Sequence, residues 1–316
     1  MFYTKIDLQK SDHKIKYEST ILSMGSCFSE NIGLKLKNAY FDIDINPYGV
    51  LFNPISIKQS ISDLLENKQY DTDDLIKTGS LWGSLRHSTL FSDENTADCL
   101  KKINTRANHA AKKIREASTL IITFGTAWTY RHNATDKVVA NCHKLAAHEF
   151  TRYRLTAHEI IEQYNNLLTQ LKSINPTIHV IFTVSPVRHI KDGATENNIS
   201  KGILLQAIQE IVKSNSNTHY FEAYELLVDE LRDYRYYASD MLHPSETAIN
   251  HIFTKFTEVF FAQHTHNTYN DICQYNSTKN HRPLHPNTSD YKLFLKNIEL
   301  KKNNLLDKYP FLNNHI

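Results

Sequence analysis

Glycine is scarce in this sequence, and the scarcity makes the few glycines informative. The chain of 316 residues contains only 8, whereas average usage of about 7% would give roughly 22. Gly25 and Gly125 each follow a short apolar run directly, and Gly49 lies in a loop between Pro47 and Pro54. We interpret all three as positions where the backbone turns tightly or approaches another segment closely.

Long apolar runs and an excess of one charge are also missing. No run approaches the roughly 18 apolar residues of a membrane span, and residues 1–20 have no continuous apolar stretch of the signal-peptide kind. The 36 basic and 34 acidic residues leave a net charge of +2, which gives no attraction to nucleic acid or to an acidic membrane. We therefore expect a soluble cytoplasmic protein with neither partner. No pattern predicts its oligomeric state.

Paired cysteines and nucleotide-binding loops are absent as well. Cys27, Cys99, Cys142 and Cys273 are far apart in sequence, which predicts four free thiols. Cys142 and the neighbouring histidines lack the second pair of ligands that a zinc site needs, so we predict no metal. Neither GxGxxG nor GxxxxGK[ST] occurs, so a Rossmann-like nucleotide binder is the least favoured hypothesis and no cofactor is predicted.

Apolar runs and amphipathic segments alternate along the chain, which predicts a parallel sheet with helices on both faces. The predicted strands are 19–24, 118–125, 177–185 and 218–223. The predicted helices are 28–38, 55–67, 95–117, 156–173, 197–214, 245–262 and 290–306. Residues 39–54 and 126–155 are predicted as loops, and 74–91 as a hairpin or irregular loop.

The segments that follow these strands contain the candidate reactive groups, because ligands bind outside the carboxyl ends of parallel strands. Cys27 and Ser26 are nucleophile types at a helix N-terminus, where the helix dipole is expected to lower a thiol pKa. His243 is a base type, and Asp240 is placed to orient it through one ring nitrogen. The two groups together predict an active site across one cleft.

Residues 21–34, ILSMGSCFSENIGL, resemble the signature of the GSCFA-domain family of bacterial proteins, which is grouped with the SGNH (GDSL-like) hydrolases. The likeness covers about residues 5–262, because further motifs come in order. They are Asn46–Val50, Phe124–Trp128, Asn141–Lys144, Ser185–His189 and Asp240–His243. Ser29 departs from the alanine of the family's name. The resemblance implies a three-layer α/β/α fold of flavodoxin-like SGNH type over 1–263, with 264–316 as a helical extension packed on it.

The resemblance also assigns roles to residues. SGNH enzymes open with a Gly-Asp-Ser turn whose third residue is the nucleophile, so Gly25 on that glycine favours Cys27 over Ser26. Their oxyanion hole uses a glycine N–H, which Gly49 matches, and an asparagine side chain. The asparagine position is Ala127 here, and Asn141 or Thr126 are the possible replacements. An uncompensated missing donor would lower the rate by about 10²–10³.

Two functions follow as hypotheses. The first is an acyl-ester hydrolase or acyltransferase that forms a covalent acyl-enzyme, with an acylated carbohydrate or other small acyl ester as substrate. The alternative is a non-catalytic module on the same fold that binds a glycan or an anion. Both place the same predicted substrate contacts in the cleft, namely Trp128, His143, Lys144, Arg188 and His189.

Overall fold

A computed structural model describes residues 4–280 and 288–316, except the side chain of Asn314. Its strands are, in chain order, β1 (Thr20–Gly25), β2 (Asp42–Ile45), β3 (Ile76–Thr78), β4 (Leu81–Gly83), β5 (Thr119–Phe124), β6 (Trp128–His132), β7 (Lys137–Val139), β8 (Phe150–Arg154), β9 (His179–Val184) and β10 (Thr218–Phe221). The α-helices are α1 (Cys27–Asn38), α2 (Pro54–Leu65), α3 (Thr96–Glu116), α4 (Ala157–Ile174), α5 (Ala194–Ser214), α6 (Ala223–Glu225), α7 (Glu246–Phe260), α8 (Gln263–Lys279) and α9 (Ser289–Lys308).

The central sheet is parallel and has the strand order β2-β1-β5-β9-β10 within the described residues. Counted along the chain, this is the 2-1-3-4-5 order of flavodoxin-like folds. The direction of winding reverses between β1 and β5, and a ligand cleft is expected at the carboxyl end of that pair. The predicted three-layer fold with a parallel sheet is therefore confirmed.

Side chains of the central strands alternate between two apolar cores. On β5, Leu120 and Ile122 pack with the side chains of α2, α3, α4 and α5. Ile121, between them, packs on the opposite face with α1 and α7. This alternation is the period-two pattern of a strand that is buried on both faces. The sheet is consequently a rigid base for the loops at its carboxyl end.

The segment 39–54 was predicted as loop, and this is wrong for β2, which forms one edge of the sheet. The strand is short and carries two acidic residues, so its apolar signal is weak. Asp42 forms an ion pair with Lys113 and Asp44 with Arg106, both on α3. These ion pairs allow an acidic strand to lie at the sheet edge.

The segment 126–155 was likewise predicted as one long loop, and it instead contains a small antiparallel sheet with the order β7-β6-β8. Arg152 of this sheet donates two hydrogen bonds to Asp192, at 2.6 and 2.5 Å. Arg154 pairs with Glu196 near the start of α5. The small sheet is thereby fixed beside the carboxyl ends of β5 and β9. The predicted hairpin at 74–91 contains β3 and β4.

Helices α8 and α9 follow the predicted domain boundary. Ile272 and Tyr275 of α8, with Leu305 of α9, are buried in the same apolar core as Phe28 of α1. The division of the chain at residue 263 stays a prediction, and residues 1–3 and 281–287 of the two predicted parts lie outside the described residues. Among the helices of residues 4–280 and 288–316, none combines the length and apolar character needed to cross a membrane.

Candidate active site

The turn after β1 depends on a glycine. Gly25 has φ +139°, and a Cβ there would lie 2.2 Å from the carbonyl oxygen of Thr123 on β5. The N–H of Ser26 donates to that same oxygen at 3.3 Å. The N–H of Gly25 donates to the side chain of Asn46 at 2.9 Å. The turn is thus held against β5 and the following loop, at the point where the sheet changes winding direction.

Ser26 and Cys27 have different environments at this turn. Ser26 is the N-cap of α1, is 1% exposed, and its Oγ accepts the N–H of Phe28 at 3.3 Å. Cys27 is the first residue of the helix and is a partly exposed free thiol. The serine hydroxyl therefore already serves the helix end, whereas the thiol is accessible.

The pKa of Cys27 departs from the expectation for a helix N-terminus. Burial raises the pKa, and the carboxylate of Glu30 raises it further. Hydrogen bonds from the N–H groups of Phe28 and of Cys27 itself lower it, as does the charge of Lys201. The predicted lowering by the helix end is present, but it is smaller than the effect of removing the sulfur from water. The net rise means that the thiol needs a base to become a nucleophile.

Ser29, the departure from the family's name, has a local explanation. Its hydroxyl is fully buried and lies 2.6 Å from the hydroxyl of Ser23 on β1. A buried hydroxyl without a partner would be destabilising by about 1–3 kcal/mol. Ser23 satisfies that requirement, so the polar residue is accommodated beneath the turn without reaching the cleft.

Asp240 and His243 form the histidine–carboxylate pair that the sequence predicts. Nδ1–H of His243 donates to Oδ2 of Asp240 at 2.6 Å. Oδ1 of Asp240 accepts the N–H groups of Leu242 and His243, at 2.9 and 3.0 Å. These two backbone bonds, followed by the histidine side chain, lower the pKa of Asp240 to about 2. The fixed carboxylate holds the ring with Nε2 as the nitrogen free to accept a proton.

The two halves of the predicted site are linked through buried cationic and imidazole groups. Within the described residues no hydrogen bond joins Cys27 to His243. Lys201 interacts electrostatically with Cys27, and His189 interacts with both Lys201 and His243. Catalytic hydrogen bonds are often formed only when substrate is bound, so the arrangement remains compatible with a role for His243.

Arg188 holds the loop that carries the histidine. Its Nη2 donates to the carbonyl of Met241 at 2.6 Å, and its N–H donates to the carbonyl of Leu242 at 3.4 Å. The guanidinium also lies 4.4 Å from the ring of Tyr237. Arg188 was predicted to bind substrate, and its contacts show that it also connects the end of β9 to the Asp240–His243 turn.

A cleft of about 380 Å³ lies between the small sheet and the carboxyl end of the central sheet. Trp128, Asn141 and His189 line it, as the sequence predicted for a binding site. Trp128 Nε1 and His189 Nε2 are buried and have no hydrogen-bond partner among the described residues. Burial, with the charges of Lys201 and His243, lowers the pKa of His189 to about 4. Both rings therefore offer neutral polar atoms to a ligand.

The predicted oxyanion donors are only partly available. The N–H of Gly49 donates to the carbonyl of Asn46 at 2.8 Å within a turn. Ala127 is fully buried, and its N–H donates to Ser200 Oγ at 2.8 Å. Asn141 lines the cleft, and its Oδ1 accepts the N–H of His143 at 2.8 Å. An oxyanion at this site would consequently have to share the Gly49 N–H with Asn46.

His143 and Lys144 lie outside the cleft. His143 is buried, and its Nε2–H is within hydrogen-bond distance of the carbonyls of Ser84 and His87, at 2.8 and 3.0 Å. Lys144 is exposed and is not among the residues that line the cleft. Both have positive φ, 48° and 61°, so they form the turn that leads away from Asn141. Their predicted contact with substrate is not part of the site proposed below.

Sequence reasoning missed Lys201. This residue of α5 is 1% exposed, and its Nζ donates to the carbonyls of Gly125 and Ser185, each at 2.7 Å. A signal was present in the helix pattern: Asn197, Leu204 and Ile208 share its buried face. A lysine within such a stripe indicates a buried cation.

In the part of the chain that the structure describes, no group of three or more His, Cys, Asp and Glu side chains is arranged to hold a metal ion. The arrangement instead offers a thiol, an oriented histidine and a buried amine at one edge of the sheet. Those groups are suited to acyl transfer through a covalent intermediate.

Comparisons with known proteins place the chain in a family. No curated protein matches it significantly. Three solved structures resemble it at low similarity. They are a candidate platelet activating factor from Streptococcus pneumonia (12% identity, 76% of this chain and 83% of that one, TM-score 0.37), an acetyl xylan esterase from the rumen bacterium Butyrivibrio proteoclasticus (10%, 77% and 64%, 0.39) and a family 3 carbohydrate esterase from Clostridium thermocellum (9%, 76% and 94%, 0.33). Such low scores add nothing to the fold described above. The model of the GSCFA family matches residues 20–256, and the chain therefore belongs to that family.

Proposed function

We propose that the protein is an acyl-ester hydrolase or acyltransferase that works through an acyl group on Cys27. His243, oriented by Asp240, acts as the general acid–base group. The observation that carries the proposal is the Asp240–His243 pair, whose 2.6 Å hydrogen bond is fixed by two backbone N–H groups. Surface aspartates and histidines have no reason to be held so firmly unless the ring orientation matters.

The choice of Cys27 over Ser26 is supported by burial. Ser26 is almost completely buried and caps α1, whereas Cys27 is partly exposed at the switch point of the sheet. The sulfur would attack the ester carbonyl carbon and release the alcohol, which takes a proton from His243. Water or an acceptor alcohol would then attack the thioester and restore the thiol.

The adjoining cleft supports an acylated carbohydrate as the substrate class. Trp128 offers an aromatic face, and Trp128 Nε1 and His189 Nε2 offer polar atoms without protein partners. A sugar hydroxyl can exchange hydrogen bonds with such atoms while its apolar face stacks on the ring. The N–H of Cys27 and the side chain of Asn141 are the proposed oxyanion donors.

The proposal is tested by turnover of para-nitrophenyl acetate and butyrate. We expect wild type to hydrolyse them, and Cys27→Ala and His243→Ala to lose about 10³-fold or more. Ser26→Ala should keep turnover and lose about 1 kcal/mol of unfolding free energy, because only the helix cap is removed. Cys142→Ala is the matched control, since this second partly exposed thiol lines the neighbouring cleft and should not matter.

A non-catalytic glycan- or anion-binding module is the second candidate. The raised pKa of Cys27 and the Gly49 N–H already bonded within its turn favour it. If wild type turns over no activated ester above buffer, the enzyme proposal fails and this one replaces it. Loss of turnover in Ser26→Ala but not in Cys27→Ala would move the nucleophile by one residue.

A further inference from the structure

Lys201 is a buried cation without an acidic partner. Its side chain lies between the ends of two central strands, where Nζ donates to the carbonyls of Gly125 and Ser185. Tyr224 lies beside it, with the ring centroid 5.8 Å from Nζ. Within the described residues the amine forms no ion pair. Lysine is almost never fully buried unless it is paired, so the position requires an explanation.

The two carbonyls suit a neutral amine better than an ammonium ion. An ammonium has three N–H donors, whereas a neutral amine has two donors and one lone pair. Two acceptors therefore satisfy a neutral Lys201 completely and leave its lone pair free. Burial lowers the pKa of Lys201 to about 7, so the neutral form is well populated at physiological pH.

The amine is close to the turn that carries the thiol. The N–H of Ser26 is bonded to the carbonyl of Thr123, and Gly125, two residues further along the same strand end, is bonded to Lys201. The charges of Cys27 and Lys201 affect each other, lowering the pKa of the thiol and raising that of the amine. His189 and Glu30 are the other titratable groups that interact with this pair.

We propose that Lys201 is the proton acceptor of Cys27. The inference rests on the proposed function, because it assumes that Cys27 is the nucleophile. The Sγ–H proton moves to the lone pair of Nζ as the sulfur electron pair attacks the ester carbonyl, and the ester C–O bond then breaks. His243 supplies the proton to the departing alcohol and later takes one from the attacking water. The thiolate released at the end recovers its proton from Lys201.

This division of labour accounts for two features of the site. His243 is about half exposed and has no hydrogen bond to Cys27, which suits a group that serves alcohol and water. Cys27 has a raised pKa, so it is a poor nucleophile until a neighbouring base removes its proton. A base with a pKa near the working pH is the most effective one for that purpose.

The test is the pH dependence of iodoacetamide alkylation, followed separately at each cysteine by peptide mass spectrometry. In wild type the rate at Cys27 should rise to a plateau near pH 7 as Lys201 loses its proton. In Lys201→Met, which keeps the length of the side chain but has no base, the rate at neutral pH should fall by about a hundredfold. The inflection near pH 7 should also disappear.

Cys142 and Cys273 are internal controls, because both carry thiols that Lys201 does not contact. Their labelling rates should not change, which would show that the variant is folded. Lys201→Gln, which can still donate two N–H groups to the carbonyls, is a second variant and should behave like Lys201→Met. If wild type has no inflection near pH 7 at Cys27, or if both variants label Cys27 at the wild-type rate, the inference is overturned. Ester turnover is not needed for this experiment, so it can fail or succeed independently of the proposed function.

Discussion

Replacing Asp240 with asparagine should lower the turnover of an activated ester by about 10⁴-fold while leaving the protein folded. The amide oxygen of the variant can still accept the N–H groups of Leu242 and His243. Its NH₂ group must then face Nδ1 of His243, which fixes the ring with its proton on Nε2. That tautomer cannot accept a proton at Nε2, so the histidine is present but in the wrong form.

Asp233→Asn is a matched control for this change. Asp233 is a nearby aspartate whose Oδ1 accepts the N–H of Arg235 at 2.8 Å, with no histidine attached. Both variants should have similar urea midpoints, and only Asp240→Asn should lose turnover. Retained turnover in Asp240→Asn, or an equal loss in Asp233→Asn, would show that the carboxylate does not orient a functional ring.

The pH dependence of the Asp240 variant is also determined by the structure. Because the pKa of Asp240 is about 2, the carboxylate is charged above that value and stays charged through mildly acidic and neutral solution. The ratio of wild-type to Asp240→Asn turnover should therefore be constant across that range. Any acid limb in the wild-type profile must come from another group.

Replacing Gly25 with alanine should destabilise the protein by about 4 kcal/mol and abolish turnover. The new Cβ would lie 2.2 Å from the backbone carbonyl of Thr123, and φ is +139°, so neither the space nor the conformation suits an L side chain. Relief requires β1 to move away from β5, which would displace the start of α1 and Cys27. The loss is comparable to the total stability of many domains.

Two other glycines separate the steric effect from the conformational one. Gly79 has φ +61° and nothing within 4 Å of a Cβ, so Gly79→Ala should destabilise by only about 1 kcal/mol. Gly202 is helical with equally open space, and Gly202→Ala should stabilise by up to about 1 kcal/mol. Urea unfolding of the three variants is the measurement. A Gly25→Ala midpoint no lower than that of Gly79→Ala would contradict this account of the turn.

The sequence was most informative where one physical signal dominated. Strands such as β5 are buried on both faces, so the apolar run 118–125 predicted them closely. Asp240 and His243 are three residues apart, so their pairing depends on one turn and could be foreseen. Both features are local, and local patterns are what a single sequence records.

Features that depend on distant partners were not foreseen. Strand β2 carries acidic residues because α3 supplies cations to them, and the sequence alone does not show that the two elements meet. His143 was predicted to contact substrate, yet its imidazole bonds to backbone carbonyls of the 84–87 segment. Lys201 lies within a helix pattern that appeared ordinary, and only the fold reveals the two strand ends around its amine.

The most direct test of the central claim is the detection of an acyl group on the sulfur of Cys27. A para-nitrophenyl acetate reaction is quenched in acid, and the peptide that contains Cys27 is analysed by fragmentation mass spectrometry. The account predicts one acetyl group on Cys27 in wild type, more of it in His243→Ala because deacylation lacks its base, and none in Cys27→Ala. An acetyl group on Ser26, or turnover with no acetylated intermediate in any variant, would contradict it.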